Sequence, residues 1–188
     1  MTGRAAFAVL ATAAACGANL GPGGGDDNMQ SPDAKVIRDA AIDAPPDARP
    51  CMGGTMAQVA PDGSCLVFVA TPTTYVNAKA ACTAMTAHLA YLKSAALDTF
   101  AEQFIGTTNT WIGATDKAVE MTFVWDDGTP LSFTNWGMDE PNNGGTGATY
   151  QEDCVIIAGM RAEKQWDDRP CDASEVPTSG NFAYLCQY

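Results

Sequence analysis

Six cysteines, at 51, 65, 82, 154, 171 and 186, constrain this chain more than any other feature in it. If they pair, they require an oxidising compartment. Each crosslink that closes a long loop also narrows the unfolded ensemble and so favours the folded state. Which cysteine pairs with which stays open at this level, because six of them can combine in many ways. The six mark out residues 51–188 as the folding unit, so the 188-residue chain is one domain plus an N-terminal extension. A seventh cysteine, Cys16, stands apart from them.

The chemistry concentrates between Asp139 and Cys171. Glu140, Asn142, Glu152, Asp167 and Asp168 lie there, four carboxylates and one amide, and no lysine or arginine interrupts Glu140-Pro141-Asn142. Side-chain oxygens at irregular loop spacing suit a hard cation such as calcium, which takes roughly 6–8 oxygen ligands in flexible geometry. Zinc is a poor fit, because the chain has one histidine, His88, and cysteines expected to be paired. A solvated acidic loop is the plain alternative; the proline and tryptophan that punctuate the acids, and the cysteines at the ends, argue against it. Residues 51–188 carry 16 acidic side chains against six basic ones, in a chain of formal net charge −12. Crowded carboxylates repel one another unless a cation neutralises them, and the same charge argues against nucleic acid or an anionic membrane surface as a partner.

Glu140-Pro141-Asn142, Glu152 two residues before Cys154, and Trp166-Asp167-Asp168 before Cys171 resemble the calcium- and sugar-binding loops of C-type lectin domains. Trp111-Ile112-Gly113 resembles the core signature of that family, and the six cysteines fit its long-form framework across residues 51–188. The resemblance implies an α+β, C-type lectin-like fold: two helices, antiparallel sheets and a long calcium-binding loop region. It also implies three disulfides, Cys51–Cys65, Cys82–Cys186 and Cys154–Cys171. Calcium ligands are implied at Glu140, Asn142, Glu152, Asp167 and Asp168, with Pro141 as the family's cis proline aiming its two neighbours at one ion. Vicinal sugar hydroxyls would complete the shell against Glu140, Asn142, Glu152 and Asp167. The order Glu-Pro-Asn is associated in the family with the equatorial hydroxyls of mannose-, fucose- or N-acetylglucosamine-type sugars. One departure bears on this: Asp167 replaces the usual asparagine, so a carboxylate that only accepts stands where an amide would donate. An auxiliary calcium site is implied by Asp116, Glu120, Asn143 and Asp153, with Asn143 in place of a usual aspartate. The spacer after Asn142 is longer than in mannose-binding members, which puts Tyr150 or Asn143 within reach of a ligand beyond the primary sugar.

Met1 to Ala15 reads as an export signal: Arg4, then apolar and small residues, then three alanines before Cys16. The run is shorter than the roughly 20 apolar residues of a membrane span. The segment resembles a bacterial lipobox, whose cysteine is acylated. Ala13 stands where that pattern usually has leucine, so ordinary signal cleavage remains the alternative. Residues 16–50 are then the lipidated cysteine and a flexible linker rich in Gly, Pro, Ala and Asp, with little to bury.

Within the domain, Leu66–Val69 reads as a strand. Thr74–His88 reads as a helix capped by Thr73 or Thr74, and Ser94–Ile105 as a second helix capped by Ser94. Trp111–Ala114 reads as a buried strand, Phe123–Trp125 as a strand leading to a turn at Asp127-Gly128, and Val155–Ile157 and Phe182–Tyr188 as closing strands. His88 has no partner histidine or free thiol and reads as structural.

The resemblance implies a non-enzymatic, calcium-dependent glycan-binding lipoprotein exported to a bacterial cell envelope, lipid-anchored at the outer membrane or cell surface. Weak single-site affinity would be offset by a multivalent array or oligomer. The alternative is a C-type-lectin-like module for protein binding or adhesion, with calcium as a structural staple. An enzyme has little support, because acid–base catalysis wants groups titrating near neutrality and calcium would hold these carboxylates ionised.

Overall fold

The structure, a computed structural model, describes residues 49–171 and 180–188. The export signal, Cys16 and all but the last two residues of the linker lie outside those residues. In chain order the elements are β1 (Met56–Val59), β2 (Cys65–Thr73), α1 (Tyr75–Ala84), β3 (His88–Leu89), α2 (Ala95–Ile105), β4 (Thr110–Thr115), β5 (Val124–Trp125), β6 (Cys154–Ile157), β7 (Trp166–Arg169) and β8 (Phe182–Gln187). The strands form one sheet in the order β1-β2-β8-β4-β6-β7, with β3 paired to β8 and β5 to β4.

Successive side chains of a strand point to opposite faces, and both faces of this sheet are covered. On one face Leu66, Phe68, Ile112, Val155, Ile157, Trp166 and Leu185 pack with Leu97, Ala101 and Ile105 of α2. On the other, Val67, Trp111, Ile156, Tyr184 and Cys186 pack with Tyr75, Ala78 and Cys82 of α1. The central strands therefore read as nearly unbroken apolar runs, as strands buried on both sides do. Trp111 anchors the α1 face: its Nε1 donates to the Thr73 carbonyl at 2.9 Å, and Tyr75 and Phe182 meet it edge-on.

The sheet is mixed rather than antiparallel. β4 and β8 run parallel, with Thr110 opposite Ala183 and Trp111 opposite Tyr184. A parallel pair needs a long connection, and the site loops between these strands provide it. The first helix is also shorter than Thr74–His88. Thr74 caps its start by accepting from the Asn77 amide, but the helix stops at Ala84. Thr86 takes a left-handed φ of 56°, the Ala87 amide bonds back to the Cys82 carbonyl, and the Thr86 amide bonds to Thr83. That is a Schellman termination, usually signalled by glycine; threonine gave no such signal. His88 is thereby freed to pair with β8 and to stack on Tyr91 at 4.0 Å.

All three expected disulfides are present: Cys51–Cys65, Cys82–Cys186 and Cys154–Cys171. Cys82–Cys186 ties α1 to the last strand across 104 residues. Cys154–Cys171 spans the start of β6 and the segment just after β7.

Candidate functional site

Trp166, Asp167 and Asp168 lie on strand β7, where a loop was expected. β7 pairs antiparallel with β6, placing Asp168 opposite Val155 and Asp167 opposite Ile156. Pairing gives the two aspartates a fixed orientation that a loop would not. Along the other edge of β7 runs the segment leading to Glu140: the Trp166 amide donates to the Asn135 carbonyl at 2.6 Å, and the Gly137 amide to the Trp166 carbonyl at 2.8 Å. Asp168 then receives the next turn of that segment, accepting from the Asn142 amide at 3.0 Å and the Asn143 amide at 2.8 Å. The Glu140–Pro141 bond is cis, as the resemblance implied.

These contacts bring three carboxylates together. Glu140, Asp167 and Asp168 each offer an oxygen within 4.8 Å of the others, the one such group among the described residues. Asn142 joins them, its side-chain amide donating to Glu140 Oε2. Glu152 stands outside the group: its Oε2 accepts from the Gly144 amide at 2.7 Å, and its Oε1 lies 3.3 Å from Arg169 Nη1. Burial, then the charges of Asp167 and Asp168, push the Glu140 carboxyl up to about 7, with Arg161 pulling the other way. Burial also raises Asp167, against the pull of Arg169 and Arg161, and raises Glu152 against Arg169.

Two arginines that the motifs do not contain complete the arrangement. Asp167 Oδ2 lies 2.5 Å from Arg169 Nη2 and 2.8 Å from Arg161 Nη2. Arg161 Nη1 also reaches Glu140 Oε1 at 3.5 Å. Asp167 is fully buried, yet its second oxygen, Oδ1, has no hydrogen-bond partner among the described residues. A buried carboxylate oxygen left unpaired costs free energy, and a divalent cation held also by Glu140, Asn142 and Asp168 would relieve it. By that donor chemistry the residues fit calcium.

The residues of the auxiliary set are also neighbours. The Asp116 amide donates to the Asp153 carbonyl at 3.2 Å, and Asn143 Nδ2 donates to Glu120 Oε1 at 3.0 Å. Asp116 is buried; Oδ2 accepts from the Met121 amide at 2.8 Å and Oδ1 is unpaired among the described residues. Burial, opposed by the Met121 bond and reinforced by Glu120 and Asp153, raises Asp116 to about 6. Burial, then Glu120, raises Asp153. Among the described residues, Asp116, Glu120 and Asp153 do not form a close oxygen group like that of the primary three. Asn143 Oδ1 also accepts from the Glu152 amide at 2.7 Å, which ties this set to the primary one. Tyr150 packs against Gly144.

Motif reading missed four residues that shape the site: Arg161, Arg169, Asp98 and Asn135. Arg169 had a signal, because it stands two residues from Asp167 on what proves to be a strand and so shares its face. Arg161 had none, since it arrives from the β6–β7 connection. Asp98, buried on α2, accepts from Trp166 Nε1 at 2.8 Å and from Asn135 Nδ2 at 2.7 Å, fixing the residue beside Asp167. Burial, opposed by those two bonds, raises its carboxyl to about 6.

The family model for the lectin C-type domain matches residues 71–177. An alpha-N-acetylgalactosamine-specific lectin of Patiria pectinifera is 35% identical over 137 residues, covering 67% of this chain and 74% of that one. The low affinity immunoglobulin epsilon Fc receptor of Mus musculus is 39% identical over 97 residues, 52% of this chain; the match spans about a quarter, 27%, of the receptor. Among solved structures, the human scavenger receptor C-type lectin carbohydrate-recognition domain superposes with a TM-score of 0.62 at 25% identity, over 73% of this chain and 98% of that one. These relatives are lectins and receptors, not enzymes. With its fold, its three disulfides and more than half its length matched, the chain belongs to the C-type lectin domain family.

Proposed function

We propose that this protein binds carbohydrate through calcium at the Glu140, Asp167 and Asp168 cluster, with Asn142 and Glu152 as further ligands. The observation that carries the reading is the buried, unpartnered Asp167 Oδ1 beside two other carboxylates within 4.8 Å. Calcium, when bound, would supply open coordination positions for two adjacent sugar hydroxyls. The chain's part is to hold four carboxylates and an amide where that ion needs them, on a paired strand and a hydrogen-bonded loop. Asp116, Glu120, Asn143 and Asp153 are proposed as an auxiliary calcium site. The Glu140-Pro141-Asn142 order favours mannose-, fucose- or N-acetylglucosamine-type hydroxyls, although the Patiria pectinifera relative is by name specific for N-acetylgalactosamine. Export with acylation at Cys16, tethering the domain at a bacterial envelope in a multivalent array, is part of the same proposal. Incorporation of labelled fatty acid that vanishes in Cys16→Ala is the outcome that supports it.

The test is a glycan array probed with the full chain in calcium and in chelator. Chelator-sensitive binding to mannose- or fucose-bearing glycans is expected, together with a melting temperature that rises on adding calcium. A ligand that binds only the folded state at 100 times its dissociation constant stabilises by about 3 kcal/mol. A melt indifferent to calcium, with no glycan bound, would rule the reading out.

A second reading, a protein-binding or adhesion module with structural calcium, is favoured by the two arginines seated on Asp167, a carboxylate that itself has no donor for a sugar hydroxyl. Calcium uptake with an empty glycan array is its signature.

A further inference from the structure

Asp167 divides its two oxygens. Oδ2 takes both guanidiniums, from Arg161 at 2.8 Å and Arg169 at 2.5 Å, while Oδ1 is left for a cation. The carboxylate can therefore serve an ion and still hold two arginines at the rim of the site. Each guanidinium carries five N–H donors. Those of Arg161 engage two acceptors, Asp167 and Glu140, the second at 3.5 Å. Its side chain is 45% exposed. It borders a cavity of 270 Å³ together with Gly137, Met138, Glu163 and Gln165. Gly137 lies between that cavity and the site: a Cβ there would lie 3.4 Å from both Arg161 Nη1 and Glu140 Cγ. Donors, positive charge and space thus meet beside the carboxylate that lacks an amide.

Resting on the proposed calcium-and-diol site, we infer that Arg161 and Arg169 supply the hydrogen-bond donors that Asp167 cannot, and that Arg161, over its cavity, selects a glycan bearing an acidic group next to the ion-binding diol. Bidentate guanidinium geometry matches a carboxylate or sulfate better than it matches a hydroxyl. With calcium present, four carboxylates face two guanidiniums and a divalent ion, so the loaded site has no net charge to repel an acid. Glu163, at the cavity wall, is the one opposing charge lining it among the described residues.

A pair of probes that differ at one carbon isolates the effect: methyl β-D-glucuronide and methyl β-D-glucoside share the equatorial 3,4-diol, and only the first carries a carboxylate. The expected result, by titration calorimetry on the full chain in saturating calcium, is about tenfold tighter binding of the glucuronide, the range of one charge-assisted hydrogen bond. Glucose 6-sulfate distinguishes a sulfate from a carboxylate preference, and tighter binding than glucose supports the inference equally. In Arg161→Gln the preference is expected to vanish, in Arg161→Lys to survive in part, and in Glu163→Gln to grow.

Calcium affinity, titrated without sugar, is the independent readout: removing the positive charge of Arg161 beside the ion should tighten it several-fold. Equal binding of the two probes by the wild type, or unchanged calcium affinity in Arg161→Gln, overturns the inference and leaves the calcium-and-glycan reading standing. Calcium binding with no affinity for either probe or for mannoside overturns both. Thermal melts in chelator separate loss of contact from loss of fold: each variant is expected to melt cooperatively, Arg161→Gln somewhat lower because the buried Asp167 carboxylate loses one of its two partners.

Discussion

Asp167 shows how much one side chain can be asked to do. It faces a like charge at Asp168, it pairs with two arginines, and its remaining oxygen is buried without a partner among the described residues. Asparagine at this position would return an amide donor and remove one anionic ligand. Asp167→Asn is therefore expected to weaken calcium binding, because ligand charge sets affinity in such sites. At saturating calcium it is expected to strengthen binding of a neutral mannoside, by less than the roughly 1–3 kcal/mol that an unmet buried hydrogen-bond partner costs, because the two arginines already offer donors there. The same change unseats Arg161 and Arg169, so preference for an acidic sugar should fall as neutral binding rises. Calorimetric titration of calcium and of each sugar reads the two effects separately, and a variant weaker toward both sugars would sink the donor argument.

Among the elements, α2 acts on the site through Asp98. Ser94 caps the helix by accepting from the Leu97 amide, and the first turn delivers Asp98 into the interior, 2% exposed, against Trp166 and Asn135. Because burial raises the folded carboxyl from 3.8 to about 6, the folded protein holds this proton more tightly than the unfolded chain does. The sign follows: Asp98's contribution to stability falls as pH rises from about 4 to about 6, and the full cost of burying its charge is felt above that. Asp98→Asn cannot ionise. Its stability relative to wild type should therefore rise across that window, by roughly 2–3 kcal/mol at most, since a tenfold difference in proton affinity between the folded and unfolded states is worth about 1.4 kcal/mol. Urea unfolding of both proteins at pH 4, 5, 6 and 7, in chelator, measures the difference. A difference that is flat with pH would mean that Asp98 titrates normally.

For the whole molecule, the disulfides divide into a fold staple and a site staple. Cys82–Cys186 closes 104 residues and joins α1 to β8, so replacing both cysteines with alanine should cost about 4–5 kcal/mol in unfolded-chain entropy. Cys154–Cys171 closes 17 residues at the β6–β7 pair that carries Asp167 and Asp168. Its loss should cost less stability, about 3 kcal/mol, and more calcium affinity, because Glu152, two residues before Cys154, is no longer held against the strand that carries Asp167 and Asp168. Denaturant midpoints and calcium titrations of the two double variants check the contrast. No helix among the described residues is long and apolar enough to cross a membrane.

Much of this was written along the chain. The cysteine spacing and motif order implied the disulfides and the family; the caps Thr74 and Ser94 and the apolar run of β4 marked elements through local chemistry that needs no distant partner. Local signals failed where a distant partner decides: helix α1 ends on a threonine that takes a glycine's conformation, β4 lies parallel to β8 only because the loop region intervenes, and Trp166-Asp167-Asp168 becomes a strand because β6 pairs with it. The residue types of the candidate site were legible, since carboxylates draw attention wherever they cluster. Which of them converge was not. That Glu152 is turned to Arg169 while Arg161 arrives to hold Asp167 depends on how two loops fold over one sheet edge, and Coulomb's law acts on distances in space rather than on spacing along a chain.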